Sequence, residues 1–313
     1  MVDTTLYILT GFTAVGKTSL SLDWARRNNA EIVSCDSLLF YKNMDVGTAK
    51  PTPRELAMVP HHLIDVVDPS VQYSIKQYLD AVKQIVSDIH SRGRRVLVVG
   101  GSGFYLNSFF SAVVDGLEID PADKIRIENQ FEIQSLEASV EVLMELNPGG
   151  VGDLDIENPR RVLKAWLRCA GSGKTLEELR LEFDQKPGEF DSYQKRVLVL
   201  SRPREELEKR VSSRVKAMIS SGLIEEVRGL ITQGIEKNSS AAQAIGYRET
   251  IAYLKGEIGE DALVETIVKN TRKLLKKQRT WFNKFLPDEA VINVSQLETL
   301  PDDWHSVAAR IPG

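Results

Sequence analysis

Gly11, Gly16, Lys17 and Thr18 stand at the spacing G-x-x-x-x-G-K-[ST] in "GFTAVGKTSL". That set of residue types holds linked phosphates. Glycine permits the unusual dihedrals of such a loop and lets backbone N–H groups close on an anion. The N-terminus of a following helix adds a favourable field. Lys17 supplies a point charge, and the Thr18 hydroxyl can ligate Mg²⁺. A carboxylate, Asp36, follows at the end of the short run "EIVSCD". A carboxylate at the carboxyl end of a strand lies where an open α/β sheet binds its ligands, and it can take a proton from a reacting group. It also suits a place beside a bound metal. A second run, "GSGKT" at 171–175, lacks the leading glycine, because Arg168 stands there. It reads as a helix end with Gly171 as the stop, followed by a new helix at "TLEELRLEF".

The elements that must position these residues are legible from periodicity. "LYILTG" is a buried strand feeding the phosphate loop, and "KTSLSLDWARR" has near-helical spacing of Leu20, Leu22, Trp24 and Ala25. "EIVSCD" reads as a second strand ending at Asp36. A helical pattern covers Ile75 to His90, "RRVLVVGG" reads as a third strand and "RVLVLS" at 196–201 as a fourth. Strands alternating with helices predict an α/β fold with a parallel sheet covered on both faces. From Asp120 to Thr175 the patterns are helical, with Pro121 as a start signal and "NPGGVGD" as a central break. This predicts a helical insertion between two strands of the sheet. Residues 203–285 are again mostly helical.

The net charge of −4, from 40 Lys and Arg against 44 Asp and Glu, argues against a generic nucleic-acid coat but does not exclude a local basic surface. No apolar run is long enough to span a membrane, and the N-terminus carries no basic leader. Cys35 and Cys169 have no framework or metal spacing, so both read as reduced thiols in a cytoplasmic protein.

Further motifs narrow the function. "DSLLFYKNMDVGTAKPT" at 36–52, "PHHLIDVVDP" at 60–69 and "VGGSGFYL" at 99–106 follow the loop in order. "NPRRVLKAWL" at 158–167, "RVSSRVKAMISSGLIEEV" at 210–227, "AIGYRE" at 244–249 and "TRKLLKKQRTWF" at 271–282 complete the set. Together they closely resemble the tRNA dimethylallyltransferase family, also called tRNA isopentenyltransferases, from about residue 6 to residue 285. The resemblance implies a P-loop NTPase-like parallel sheet flanked by helices. The catalytic core would be residues 1–119 and 186–313, with a helical insertion domain at 120–185 that contacts tRNA. It implies transfer of a dimethylallyl group from dimethylallyl diphosphate to the exocyclic amine of the adenosine just 3′ of the anticodon, by a monomer using Mg²⁺. The loop would then hold an isoprenoid diphosphate rather than ATP.

What the resemblance implies for single residues follows the chemistry. Asp36 would be the general base. Lys17, Thr18 through Mg²⁺, and Arg214 would stabilise the departing diphosphate, with Gly11, Phe12, Thr13, Ala14, Val15 and Gly16 as the rest of its cradle. Taken without the resemblance, Arg214 reads equally as a surface ion pair with a neighbouring Glu. The tRNA-contact stretches correspond to Asp36, Ser37, Leu38 and Leu39, to Gly103 and Ile125, to Arg160, Arg161, Val162, Leu163 and Lys164, and to Ala244, Ile245, Gly246, Tyr247, Arg248 and Glu249. The chain departs from the family in having Phe12 for the usual Pro, Val15 for Ser, an apolar Leu38, Arg160 for Gln and Lys164 for Arg.

Residues 271–284 hold Arg272, Lys273, Lys276, Lys277, Arg279 and Lys284 with no acid among them. That asymmetry suits contact with the tRNA backbone, though a solvated helix face would look the same. At helical spacing Leu274, Gln278 and Trp281 face inward. His61 and His62 read as structural, and Trp24, Trp166 and Trp281 as core. The rival functions are an isopentenyltransferase acting on free adenine nucleotides, a P-loop small-molecule kinase, and an RNA-binding protein with a decayed site.

Overall fold

In the computed structural model, residues 4–302 and 304–307 are described; residues 1–3, 303 and 308–313, counted with the catalytic core above, lie outside them. The chain divides into two compact units, residues 1–111 with 188–313, and residues 112–187.

The first unit is built on a seven-stranded sheet of β1 (Thr5–Gly11), β2 (Ala30–Ser34), β3 (His61–His62), β4 (Arg95–Val99), β5 (Gln194–Ser201), β6 (Val291–Asn293) and β7 (His305–Val307). The order is β3-β2-β4-β1-β5-β6, all parallel, with β7 antiparallel against β5. Every residue of β2 and five of the seven in β1 are buried. Strands covered on both faces lose the polar–apolar alternation of a half-exposed sheet, which is why these segments read as continuous apolar runs. The pairing of β1 with β5 runs in register from Thr5↔Gln194 to Gly11↔Leu200 and that with β4 from Leu6↔Val96 to Leu9↔Val99, so the loop after Gly11 leaves the sheet between β4 and β5.

The helices of this unit are α1 (Lys17–Arg27), α2 (Pro53–Met58), α3 (Ile75–Ser91) and α4 (Gly103–Asn107) before the second unit. After it come α9 (Arg204–Ser220), α10 (Leu223–Thr232), α11 (Ser239–Ala242), α12 (Tyr247–Leu254) and α13 (Glu260–Phe285). Those between are α5 (Pro121–Ile133), α6 (Leu136–Glu145), α7 (Pro159–Ser172) and α8 (Leu176–Asp184), all in the second unit. That unit has its own core of Ile127, Leu143, Val162, Ala165, Trp166, Leu167 and Cys169. Asp120 caps α5 ahead of Pro121 by accepting from Ala122 N.

Several expectations need adjusting. β2 stops at Ser34, so Asp36 lies two residues past the strand, in the loop that follows. His61 and His62 form β3, an edge strand too short for periodicity to reveal. His62 Nε2 lies 2.6 Å from Glu31 Oε2, and Arg92 and Arg94 bind the same carboxylate, which fits a structural role. Helix α7 runs through Gly171 and ends at Gly173, whose φ of 67° makes it the left-handed C-cap. On α13 the buried residues are Leu263, Ile267, Thr271, Leu275, Gln278 and Phe282; Leu274 and Trp281 are half-buried. Trp24 and Trp166 are core residues. At the junction with the second unit, Gly188 lies so close to Ser111 that a Cβ on it would sit 3.2 Å from the Ser111 backbone.

Candidate active site

The loop between β1 and α1 is held in shape by side chains from distant segments. Val15 N donates to Phe12 O at 3.2 Å, and Ala14 takes a φ of 64°, a strained left-handed value for a residue with a Cβ. Arg210 Nε donates to Ala14 O at 2.7 Å and Arg202 Nε to Val15 O at 2.8 Å. Thr13 N donates to Gln278 Oε1 at 3.0 Å, and Gln278 Nε2 donates to Gly101 O, also at 3.0 Å. One buried glutamine on α13 thus joins the loop after β1 to the loop after β4. It also takes the Thr13 amide, one of those expected to face the anion. The Phe12 ring packs edge-on against Phe282, 5.3 Å between centroids, with the Arg279 guanidinium over the Phe12 ring, 5.8 Å from its centroid. Val15 is fully buried. Both departures from the usual loop residues are therefore apolar packing.

Lys17 folds back over this loop, its Nζ 3.0 Å from both Gly11 O and Phe12 O. Burial pushes its pKa down to about 8; the Asp36 carboxylate opposes that shift and the Arg214 guanidinium adds to it. Arg214, on α9, donates from Nη2 to Thr48 O at 3.0 Å. Burial lowers its pKa as well, again opposed by Asp36. Its surroundings exclude the alternative of a surface ion pair with Glu. Asp36 accepts from Leu38 N at 3.1 Å through Oδ1, a local turn that fixes the carboxylate's direction.

These three charged groups line one cavity of about 320 Å³. Thr13, Ser37, Leu38, Gly47, Thr48, Gly101, Ser102, Ala244, Ile245, Gly246 and Gln278 share the lining. So does an apolar set of Val211, Val215, Met218, Ile267 and Leu274. A second cavity of about 450 Å³ shares Arg214 and Met218 with it. Two cations, one carboxylate and an apolar wall can hold a short hydrocarbon diphosphate and accept a proton beside it.

Other expected site residues stand elsewhere. Thr18 lies in the first turn of α1, half-buried, and its hydroxyl makes no hydrogen bond among the described residues. Leu39 is half-buried outside the lining. Gly103 opens α4 beneath the Trp281 ring. Tyr247 is fully buried and donates its hydroxyl to Glu226 at 2.7 Å, so its side chain faces the interior and not an RNA. Glu249 is buried too, accepting from Gly246 N at 2.7 Å and Asn270 Nδ2 at 2.8 Å, and Arg248 donates to it. In the second unit Ile125, Arg160, Arg161 and Lys164 are exposed and Leu163 is half-buried, whereas Val162 belongs to the core. Sequence reasoning placed Gln278 inward but missed its bond to the loop. A polar residue on the buried face of an amphipathic helix was the available signal.

The family model described as IPP transferase matches residues 39–285. The chain belongs to the IPP transferase family. A tRNA dimethylallyltransferase of Opitutus terrae is 49% identical to this family member over 292 residues, covering 93% of this chain and 94% of that one. A tRNA dimethylallyltransferase of Clostridioides difficile is 37% identical, covering 90% and 89%. The crystal structure of a tRNA isopentenylpyrophosphate transferase from Bacillus halodurans superposes on this chain with a TM-score of 0.66, at 32% identity and 93% and 89% coverage. A eukaryotic dimethylallyltransferase acting on tRNA shares the fold at a TM-score of 0.78 and 24% identity, covering 94% and 75%.

Proposed function

We propose that this chain transfers the dimethylallyl group of dimethylallyl diphosphate to the exocyclic amine of the adenosine 3′-adjacent to the anticodon in tRNA, forming N6-(dimethylallyl)adenosine and releasing diphosphate. The observation that carries this reading is the meeting of Asp36, Lys17 and Arg214 in one cavity that also has an apolar wall. The amine of adenine is a poor nucleophile, because its lone pair is delocalised into the ring. As its C–N bond to the isoprenoid forms, Asp36 takes the amine proton. The C–O bond breaks, and its electron pair leaves on the diphosphate oxygen. Lys17, Arg214 and the loop amides meet the charge that builds there, where preorganised groups stabilise the transition state most.

Mg²⁺ suits this site as a cation carried by the donor's phosphates, since such an ion keeps few protein ligands. Thr18, with its unengaged hydroxyl at the head of α1, is the residue that would hold it. Among the described residues no cluster of three or more His, Cys, Asp or Glu competes for that part. When bound, the ion neutralises charge on the departing diphosphate.

The reacting base must leave its stack to reach Asp36, as bases do in enzymes that modify them. Ser37, Leu38, Ala244, Ile245 and Gly246 in the lining are the residues for it to meet. The exposed cations of α13 (Arg272, Lys273, Lys276, Lys277, Arg279 and Lys284) suit the tRNA backbone, as do Arg160, Arg161 and Lys164 on α7. Both cysteines are free thiols, which suits the cytoplasm. No described helix is long and apolar enough to cross a membrane. The resemblance implies a monomer.

The experiment is incubation with Mg²⁺, dimethylallyl diphosphate and an anticodon stem-loop bearing consecutive adenosines. Mass spectrometry should find one five-carbon unit added to the RNA. An unchanged RNA mass with steady consumption of ATP would replace this reading with a kinase. Addition to free adenosine monophosphate but not to the stem-loop would make the chain an isopentenyltransferase of free nucleotides.

A further inference from the structure

Glu226 lies on α10, outside the cavity, and gathers four donors. Its Oε2 accepts from Asp45 N at 3.0 Å and Val46 N at 2.6 Å; its Oε1 accepts from Gly47 N at 3.2 Å and the Tyr247 hydroxyl at 2.7 Å. Three successive amides converging on one carboxylate form an anion-holding nest, and hydrogen bonds to a charged acceptor are the stronger kind. The shape of the turn is fixed from a second side. The Tyr247 ring lies so close over Gly47 that a Cβ there would be 2.6 Å from the ring. The next carbonyl along, Thr48 O, accepts from Arg214 Nη2, the hydrogen-bond partner of that guanidinium among the described residues. Gly47 and Thr48 both line the cavity.

We infer that Glu226 is a positioning residue of the diphosphate site: it sets the 45–48 turn whose Thr48 carbonyl aims Arg214 into the cavity. The inference rests on the reading of Arg214 as a diphosphate ligand. Glu226 touches no reacting atom, and its effect passes through the turn to the guanidinium. The same contacts make Tyr247 a second positioning residue, as a donor to Glu226 and a ring packed on Gly47.

The test uses Glu226→Ala and the isosteric Glu226→Gln, each alone and combined with Arg214→Ala. Hydrogen exchange at the 45–47 amides, affinity for inorganic pyrophosphate, and the kcat and KM of transfer are measured. Glu226→Ala should speed exchange at 45–47. It should weaken pyrophosphate binding and raise the donor KM by roughly tenfold, the loss of a strong hydrogen-bonded contact. The stem-loop KM should stay within about twofold, a margin below the effect of one net hydrogen bond. Glu226→Gln, which keeps one accepting oxygen, should recover part of the affinity. With Arg214→Ala in place, adding Glu226→Ala should change pyrophosphate affinity by less than about twofold, as non-additivity between coupled residues requires. An undiminished loss in that background would overturn the inference, as would faster exchange with unaltered donor affinity. If Glu226→Ala does not fold, Glu226→Gln carries the same comparison. Exchange and pyrophosphate binding are read without any transfer, so failure of the transferase reading shows separately, as a wild-type protein that leaves the RNA unmodified.

Discussion

Lys17 should titrate within reach of ordinary assays. Its ammonium has an ordinary pKa of 10.5, lowered to about 8 by burial in the folded chain. The free enzyme therefore carries the charge needed for the diphosphate below about pH 8 and loses it above. If only the protonated form accepts the donor, kcat/KM for dimethylallyl diphosphate falls tenfold per pH unit beyond that point, to roughly one thirtieth of its plateau by about pH 9.5. Initial rates on an anticodon stem-loop between about pH 6.5 and 9.5 give the profile. Lys17→Arg keeps its charge throughout, so any activity it retains should show no such fall. The same burial has a thermodynamic consequence of fixed sign. Between about 8 and 10.5 the unfolded chain holds a proton that the folded chain has given up, so stability rises with pH across that window. Below it, the buried charge costs up to about 3 kcal/mol, net of the contacts the ammonium makes. Lys17→Met should accordingly stabilise the protein by roughly 1–3 kcal/mol at neutral pH while abolishing donor binding, a gain that fades above about pH 10. A flat rate profile in the wild type, or an equal fall in Lys17→Arg, would refute the reasoning.

Other outcomes follow from single sites. Asp36→Ala should lower transfer by about 10²–10⁴-fold while stem-loop affinity in filter binding stays nearly intact; wild-type turnover would remove Asp36 as the base. Glu31 is buried, which raises its pKa, but Arg94, His62 and Arg92 outweigh this and hold it at about 2. Its contribution is complete above an unfolded value of 4.5 and lost as pH falls from there toward 2, so urea midpoints should drop across that window by more in the wild type than in Glu31→Gln. Trp166→Ala, in the core of the 112–187 unit, should cost about 3–5 kcal/mol there, seen as faster hydrogen exchange in α7 with little change in α1.

The sheet strands were legible because strands buried on both faces are written as unbroken apolar runs, as in "LYILTG" and "RVLVV". The phosphate loop was legible because its glycines and lysine stand at fixed spacing. β3 was not, since a two-residue strand has no period to detect, and β7 joins the sheet only through long-range pairing with β5. The motifs around Asp36 and Arg214 pick out residues that the fold brings into one cavity, but nothing local in "AIGYRE" tells which side chains face inward. Tyr247 and Glu249 are claimed by Glu226 and Asn270, partners 21 positions away in each case. Gln278 likewise looks like one polar letter in a basic helix until the fold brings Thr13 and Gly101 to it.

The close approach of Gly188 to Ser111 means that the polypeptide steps out of the sheet-bearing body and comes back at the same spot. Removing everything between would leave no gap for a replacement to stretch across. A two- or three-glycine splice should therefore let the remaining body close on itself and still grip pyrophosphate, while a form of the excised helices expressed alone would carry Trp166 and its neighbours as a ready-made centre.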